Sequence, residues 1–207
     1  MSAEAAIRTH LDASRLASTG TALRVTNDFE TLLAAMRKAA GALRDAEIPF
    51  ALAGSVAVYA HGGPDTDHDV DFLVKPEDAD RALGALGAVG FHVHKPAEGW
   101  LYKALDPEGA AIDVIFEPTT GPVTDELLAR AEVVEVYAIH VPVLSPTDVL
   151  ASKLLALREH NLDYAPMLEI ARSLREQIDW AELRRRTDES PYAKPFFTLV
   201  EGLGLAA

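Results

Sequence analysis

The chain has 207 residues, of which 49% are hydrophobic, and a formal net charge of -13 at pH 7. The balance of 32 acidic against 19 basic residues argues against broad, sequence-independent adhesion to nucleic acid, and the lack of cysteine excludes disulfides and thiolate metal sites. No apolar run approaches the ~18 residues of a membrane span, and the N-terminal residues lack the apolar segment of a signal peptide, so we expect a cytoplasmic protein with no membrane partner.

The first 46 residues are predicted to be helical. Ala3–Ala17 has helical character, and Ser18–Thr21 interrupts it. A second helix would begin after Asn27 as its N-cap, with Glu30 three residues later as in a capping box. The apolar stripe of this helix contains Phe29, Leu32, Leu33, Met36, Ala40 and Leu43.

A glycine-serine pair follows the next apolar run. Phe50–Ala53 has strand character, Gly54 allows the backbone to approach a ligand closely, and Ser55 opens a helical stretch. Backbone N–H groups at a helix start, together with a hydroxyl, suit a phosphate group. A plain helix N-cap would have the same sequence, so the pair gains functional meaning only from the residues that follow it.

Three aspartates alternate in the next predicted strand. Asp67, Asp69 and Asp71 share one parity, so their side chains would lie on one face, roughly 7 Å apart. Carboxylates crowded in this way repel each other unless a cation lies among them, and Mg²⁺ or Mn²⁺ prefers oxygen ligands. An acidic strand end at the surface would have the same pattern, and the sequence places no obvious basic neighbour beside these carboxylates.

The following segments alternate between helix and strand character. The predicted elements are a helix over Pro76–Val89, strands over Phe91–Lys95, Trp100–Leu105 and Ala111–Phe116, a turn at Asp106–Gly109, a helix over Asp125–Ala131, and one or two strands in Val133–Leu144. In the third of these strands, Asp113 lies on the face opposite Ile112 and Val114. It is therefore either an exposed strand residue or a partner of Asp69 and Asp71.

A lysine interrupts the apolar face of the next helix. Ser145–Glu159 is predicted to be helical, with Ser145 as N-cap and Pro146 at the first position, and Lys153 falls inside its apolar arc. The ammonium group either reaches water along its methylene stem or meets a buried anion such as a nucleotide phosphate. The tail, Tyr164–Thr187 and Tyr192–Leu203, is predicted to form a small helical subdomain.

Other charged and polar residues are interpreted as structural. His92 and His94 alternate on a predicted strand but lack a third metal ligand at suitable spacing. The run Arg184–Arg186 is expected to face solvent near a helix end. Asp163 would orient Lys153 or cap the next helix, and we favour capping.

Gly54-Ser55, Asp69-Val70-Asp71 and Asp113 together resemble the signature of the nucleotidyltransferase superfamily, the polymerase-β-like fold. The resemblance covers roughly residues 50–170 and is closest to AbiEii-type toxins and their mycobacterial relatives, which also carry a downstream Lys on a helix, as Lys153 is here. Many of these relatives have Arg-x-Thr before the Asp-x-Asp, whereas this chain has Asp65-Thr66-Asp67. A basic group expected near the site is therefore missing.

The resemblance implies an α/β (α+β) fold. A mixed-sheet nucleotidyltransferase core over residues 47–144 would be flanked by N-terminal helices (1–46) and a C-terminal helical region (145–207). It also implies an enzyme that moves a nucleoside monophosphate from an NTP to an acceptor and releases pyrophosphate.

The same resemblance assigns roles to individual residues. Asp69, Asp71 and Asp113 would bind Mg²⁺ or Mn²⁺, and Asp113 would accept the proton of the attacking group. Lys153 would join them as a catalytic residue by adding positive charge at the nucleotide phosphates. The residues that would bind the nucleotide are Gly54, Ser55 and Lys153.

The acceptor is less well defined than the reaction. The toxin-like resemblance implies RNA such as a tRNA end, or a protein, with a cognate antitoxin as a further partner. An antibiotic-modifying nucleotidyltransferase with a cationic acceptor fits the acidity of the chain better. A non-catalytic relative that keeps the fold for nucleotide binding is a third hypothesis.

Overall fold

The computed structural model describes residues 28–65 and 69–206. The predicted helix Ala3–Ala17, the predicted N-cap Asn27, and Asp67 lie outside this part of the chain. No helix of the described residues is long and apolar enough to cross a membrane.

Helices and strands alternate through the first two thirds of the described residues, and helices follow. The helices are α1 (Phe29–Asp45), α2 (Gly54–Ala60), α3 (Ala79–Ala88), α4 (Asp125–Ala129), α5 (Pro146–Ala156), α6 (Ala165–Leu174), α7 (Trp180–Thr187) and α8 (Lys194–Gly202). The strands are β1 (Phe50–Leu52), β2 (Val70–Val74), β3 (His92–His94), β4 (Leu101–Leu105), β5 (Ala111–Ile115), β6 (Glu132–Val136) and β7 (Ile139–Val143). A short 3-10 helix, Pro76–Asp78, precedes α3, where a single longer helix was expected.

The strands form one mixed sheet in the order β3-β4-β5-β2-β1-β7-β6. β2 runs parallel to β5 and antiparallel to β1, while β4 runs antiparallel to β5. The central strand β2 is buried apart from Asp71, which is half-buried. The predicted α/β class with a mixed sheet and flanking helices is therefore confirmed.

The first described helix packs one apolar face on the core. Leu32, Met36 and Leu43 are essentially inaccessible to solvent, as their helical spacing predicted. The predicted N-cap was wrong by one residue, because the Asp28 carboxylate accepts a hydrogen bond from the Thr31 N–H at 3.0 Å and helix α1 starts at Phe29.

The C-terminal helices are part of the same packed body. α5 begins at its predicted cap, where Ser145 Oγ accepts from the Asp148 N–H at 3.1 Å. Leu150 and Leu154 of α5 are fully buried, and α5 packs against α2, α6 and α7. This packing brings residues of α5 and α7 close to Asp71 of the central strand.

Candidate active site

Three ionisable side chains lie in register on adjacent strands. Asp71 of β2 pairs with Asp113 of β5, and Asp113 pairs in turn with Lys103 of β4. Asp69 immediately precedes β2, and its charge acts on both Asp71 and Asp113. The structure thus brings the three predicted aspartates Asp69, Asp71 and Asp113 together at one place in the sheet.

The turn before α2 is built around Asp71. Gly54 has φ +59°, and a Cβ at this position would lie 1.8 Å from Asp71 Oδ2. The Ala53 N–H donates to the Asp71 carbonyl at 2.9 Å, which ties the turn to β2. Residue 54 must therefore be glycine for two reasons, its left-handed backbone and its contact with the carboxylate.

The carboxylates are crowded enough to change their protonation. Burial, followed by the charges of Asp69 and Asp113, raises the pKa of Asp71 well above its usual range, although Lys153 and Lys103 offset part of this effect. Burial also raises the pKa of Asp113 to about 6, with a further contribution from Asp69. Such a cluster of acids favours a cation.

A lysine that the sequence pattern did not identify neutralises part of this charge. Lys103 Nζ donates to Asp113 Oδ1 at 2.7 Å and to Oδ2 at 2.8 Å, and both residues are buried. The expectation that the site lacks a basic neighbour is therefore wrong. Because a lysine on a strand next to two apolar residues looks like an ordinary surface residue, only the pairing of β4 with β5 reveals its partner.

The fit of the site to a divalent cation can be judged from its oxygen donors. Asp69 and Asp71 supply carboxylate oxygens of the kind that Mg²⁺ and Mn²⁺ prefer. Both oxygens of Asp113 already accept hydrogen bonds from Lys103. In keeping with this, the described residues contain no group of three or more His, Cys, Asp or Glu side chains arranged to hold a metal ion. The donors present fit a cation at Asp69 and Asp71 better than one at all three aspartates.

A cleft of about 150 Å³ opens beside Asp71. The residues that line it include Gly54 at the start of α2, and Ser152 and Lys153 of α5. The Lys153 ammonium is close enough to lower the pKa of Asp71, so this lysine lies on the side of α5 that faces the aspartates. Ser55, the second residue of α2, is half-buried and is not among the described residues that line the cleft.

One arginine of the tail also reaches the cleft. Arg186 of α7 lines it and donates from NH1 to Asp148 Oδ1 at 2.8 Å. By contrast, Arg184 forms an ion pair with Glu201, and Arg185 one with Glu182, at the surface. The expectation that all three arginines face solvent therefore holds for Arg184 and Arg185 and is wrong for Arg186.

Asp148 is the buried residue that holds this corner of the cleft. Burial disfavours its charge, but hydrogen bonds from Ser145, Arg130 and Arg186 outweigh burial and hold the pKa of Asp148 below its usual range. In the sequence, Asp148 is an acidic residue in the first turn of α5, and nothing near it in the chain indicates its two arginine partners.

The remaining candidates have structural roles in the described residues. Asp163 Oδ1 accepts from the N–H of Ala165, the first residue of α6, at 3.0 Å, but the N-cap residue of this helix is Tyr164, so the preferred capping prediction is off by one residue. His92 and His94 are exposed on β3, an outer strand of the sheet.

Comparison with known proteins places this geometry in a family. A family model described as "Uncharacterised nucleotidyltransferase" matches residues 2–201. No curated protein matched the chain significantly.

Several solved structures share the fold at low sequence identity. ANT(2″)-Ia in complex with adenylyl-2″-tobramycin aligns with a TM-score of 0.57 and 12% identity, covering 80% of this chain and 99% of that one. TM1012, a candidate nucleotidyltransferase from Thermotoga maritima, aligns with a TM-score of 0.50 and 19% identity, covering 71% and 92%. An antigenic nucleotidyltransferase-like protein from Paracoccidioides brasiliensis aligns with a TM-score of 0.50 and 14% identity, covering 86% and 90%. At these identities the likeness concerns the fold alone.

Proposed function

The chain belongs to the family of uncharacterised nucleotidyltransferases, and we propose that it moves a nucleoside monophosphate from an NTP to an acceptor in a metal-dependent reaction. The observation that carries this proposal is the placement of Asp71 next to Asp113 on parallel strands, with the Gly54 turn packed against the Asp71 carboxylate. Asp69 completes the group of carboxylates.

The three aspartates have different roles in this proposal. Asp69 and Asp71 would hold Mg²⁺ or Mn²⁺, which when bound would polarise the α-phosphate and offset the charge of the leaving pyrophosphate. Asp113 accepts the proton of the attacking group at a carboxylate oxygen. With a pKa of about 6 before cation binding, it is ionised at neutral pH yet basic enough to take a proton. Lys103 holds this carboxylate in a fixed orientation through its two hydrogen bonds.

The nucleotide is bound by residues that line the cleft and by their neighbours. The backbone N–H of Gly54 donates to the terminal phosphates, and Ser55, which follows it at the start of α2 outside the cleft lining, adds its own N–H. Lys153 approaches the phosphates from α5 as a compact positive charge. The cleft thus offers carboxylates to a cation and positive charge to the phosphates.

The metal requirement is tested by calorimetry with a non-hydrolysable NTP in the presence and absence of Mg²⁺ or Mn²⁺. Wild-type protein should bind the nucleotide only with metal, and Asp69→Asn and Asp71→Asn should abolish that binding. Asp80→Asn, which changes an exposed carboxylate on α3, should bind as wild type does. Burial and the neighbouring carboxylates disfavour the ionised form of Asp71, so the melting temperature of Asp71→Asn in EDTA should be no lower than that of wild type. A loss of nucleotide binding in this variant would then not be caused by unfolding. Equal affinity with and without metal, unchanged in both variants, would contradict the proposal.

For the acceptor we favour RNA such as a tRNA end, or a protein, with a cognate antitoxin as partner. This choice follows the resemblance of Gly54-Ser55, Asp69-Val70-Asp71 and Lys153 to toxin-type sequences. A small cationic acceptor is the second candidate, because a net charge of -13 attracts cations and repels polyanions over long distances.

The acceptor is identified by incubating the protein with each α-labelled NTP, the metal ion and, separately, tRNA, total protein or an aminoglycoside. Label on RNA or protein supports the first candidate, and label on the aminoglycoside supports the second. Metal-dependent NTP binding without label on any acceptor would favour a non-catalytic nucleotide-binding protein.

A further inference from the structure

The tail helix α7 contributes a cation to the cleft in an unusual way. Arg186 has a side chain that is 21% exposed, whereas Arg184 and Arg185 beside it are 52% and 72% exposed. Arg186 lines the same cleft as Asp71, Gly54 and Lys153. An arginine side chain at the surface normally extends its guanidinium into solvent, so the partial burial of Arg186 indicates a role inside the cleft.

Arg186 is held by the buried carboxylate of Asp148, which also binds Arg130, so the cluster of these three side chains has a net positive charge. Asp148 is 5% exposed and contacts two arginines, with Arg130 NH2 at 2.9 Å and Arg186 NH1 at 2.8 Å from its Oδ1. One carboxylate therefore faces two guanidinium groups, which leaves one positive charge uncompensated within this group. Asp148 and Arg186 both line the cleft and Arg130 is not among the described residues that do, so Arg186 is the arginine of this cluster that faces the cleft.

Both signs of charge therefore line the cleft, with Asp71 and Asp148 on the acidic side of the balance and Lys153 and Arg186 on the basic side. The phosphate oxygens of a nucleotide are negatively charged, and the two cations are the groups of the cleft that could bind them. Among the described hydrogen bonds, Arg186 uses only NH1, so its other nitrogens can donate to a phosphate in the planar arrangement that suits oxyanions.

We propose that Arg186, held in place by Asp148, binds the terminal phosphates of the nucleotide. The inference rests on the proposed function and adds to it a binding residue from the C-terminal helical region. The packing of α7 on α5 is what places Arg186 beside this cleft.

The test is calorimetry with each NTP analogue and the corresponding NMP, on wild type and three variants. Arg186→Met should weaken NTP binding at least tenfold and change NMP binding less than threefold, because the monophosphate lacks the groups that the arginine contacts. Arg130→Met removes the other cation from Asp148 without touching the cleft, and Arg185→Met removes the neighbouring charge on α7. Both control variants should bind NTP as wild type does.

The outcomes separate this inference from the proposed function. Wild-type protein that binds no NTP would overturn both. Wild-type protein that binds NTP, with Arg186→Met binding equally well, would overturn the role of Arg186 alone. An equal loss in Arg130→Met and Arg186→Met would do the same, since it would show that the ion-pair cluster acts only on the fold. If Arg186→Met does not fold, Arg186→Lys decides in its place: weaker NTP binding with unchanged NMP binding supports the role, and wild-type NTP affinity overturns it.

Discussion

Lys103 and Asp113 form an ion pair inside the protein, with side chains only 10% and 9% exposed. Removing two charges from water is costly, and their attraction offsets the cost only when geometry and hydrogen bonding are good. Here the ammonium group meets both carboxylate oxygens. The pair is consequently sensitive to the loss of either partner, because the other would remain buried and charged.

Lys103→Met should lower the free energy of unfolding by about 3–5 kcal/mol at pH 8, the cost of breaking a buried pair. The pKa of Asp113, about 6 against a usual 3.8, means that this carboxyl binds more protons in the folded than in the unfolded protein between these values, so its contribution to stability falls as pH rises from about 4 to 6 and is then level. Without Lys103 the pKa of Asp113 rises further, and this contribution continues to fall above pH 6. Denaturant unfolding in EDTA at pH 5 and pH 8 checks this, with a larger loss expected at pH 8.

The matched control is Lys95→Met, which breaks the exposed pair between Lys95 and Asp80. Surface pairs of this kind contribute little to stability, so this variant should unfold almost as wild type does at both pH values. A loss in Lys103→Met that is small, or the same at pH 5 and pH 8, would contradict the role assigned to the buried pair.

At the scale of the elements, the site depends on a tight connection between β1 and α2. Gly54 combines a left-handed backbone with close packing on Asp71, so a side chain at this position would disturb the carboxylate as well as the turn. The register of β2, β5 and β4 then places Asp71, Asp113 and Lys103 side by side. A one-residue slip in any of these pairings would move a side chain of the row to the other face of the sheet.

Gly54→Ala should destabilise the protein by about 2–4 kcal/mol, because it adds a collision with Asp71 to the strain of φ +59°. Metal-dependent nucleotide binding should be lost, since Asp71 must move. Gly62→Ala is the matched control: it has φ +91° but no atom within 4 Å of the added Cβ, so only backbone strain of about 1–2 kcal/mol is expected. Thermal unfolding and calorimetry of both variants measure the difference. Nucleotide binding lost equally in both, or retained in Gly54→Ala, would count against the close contact with Asp71.

At the scale of the molecule, the C-terminal helices and the sheet share one hydrophobic core. Leu183 of α7 and Phe196 of α8 are fully buried in the same cluster as Phe72 of the central strand. We therefore propose that the boundaries at residues 46 and 144 separate regions of one cooperative unit. This continuity is what allows α7 to supply a side chain to the cleft.

The two tryptophans test this cooperativity, because Trp100 precedes β4 and Trp180 opens α7. Trp100→Phe leaves Trp180 as the fluorescence reporter of the tail, and Trp180→Phe leaves Trp100 as the reporter of the sheet. Urea unfolding followed by either tryptophan should give the same midpoint as circular dichroism of the same variant. A tail that unfolds at lower urea than the sheet would mean that the regions are separate units.

Much of this protein is determined by local sequence. The cap of α5, the apolar stripe of α1 and the alternation that marks Asp71 and Asp113 depend on neighbours a few residues away, so they could be predicted without a fold. The resemblance of the chain to nucleotidyltransferases also rested on short motifs, and the family match confirms it. The closeness to AbiEii-type toxins stays a prediction.

The tertiary structure decided which charges meet. Lys103 lies 10 residues from Asp113, and Arg186 lies 38 residues from Asp148, and in both cases the partners belong to different elements, so no period within one element indicates the contact. The first contact exists because β4 pairs with β5 in one register, and the second because α7 packs on α5. Local patterns fix which face of an element a side chain occupies, but the partner across that face is set by long-range packing.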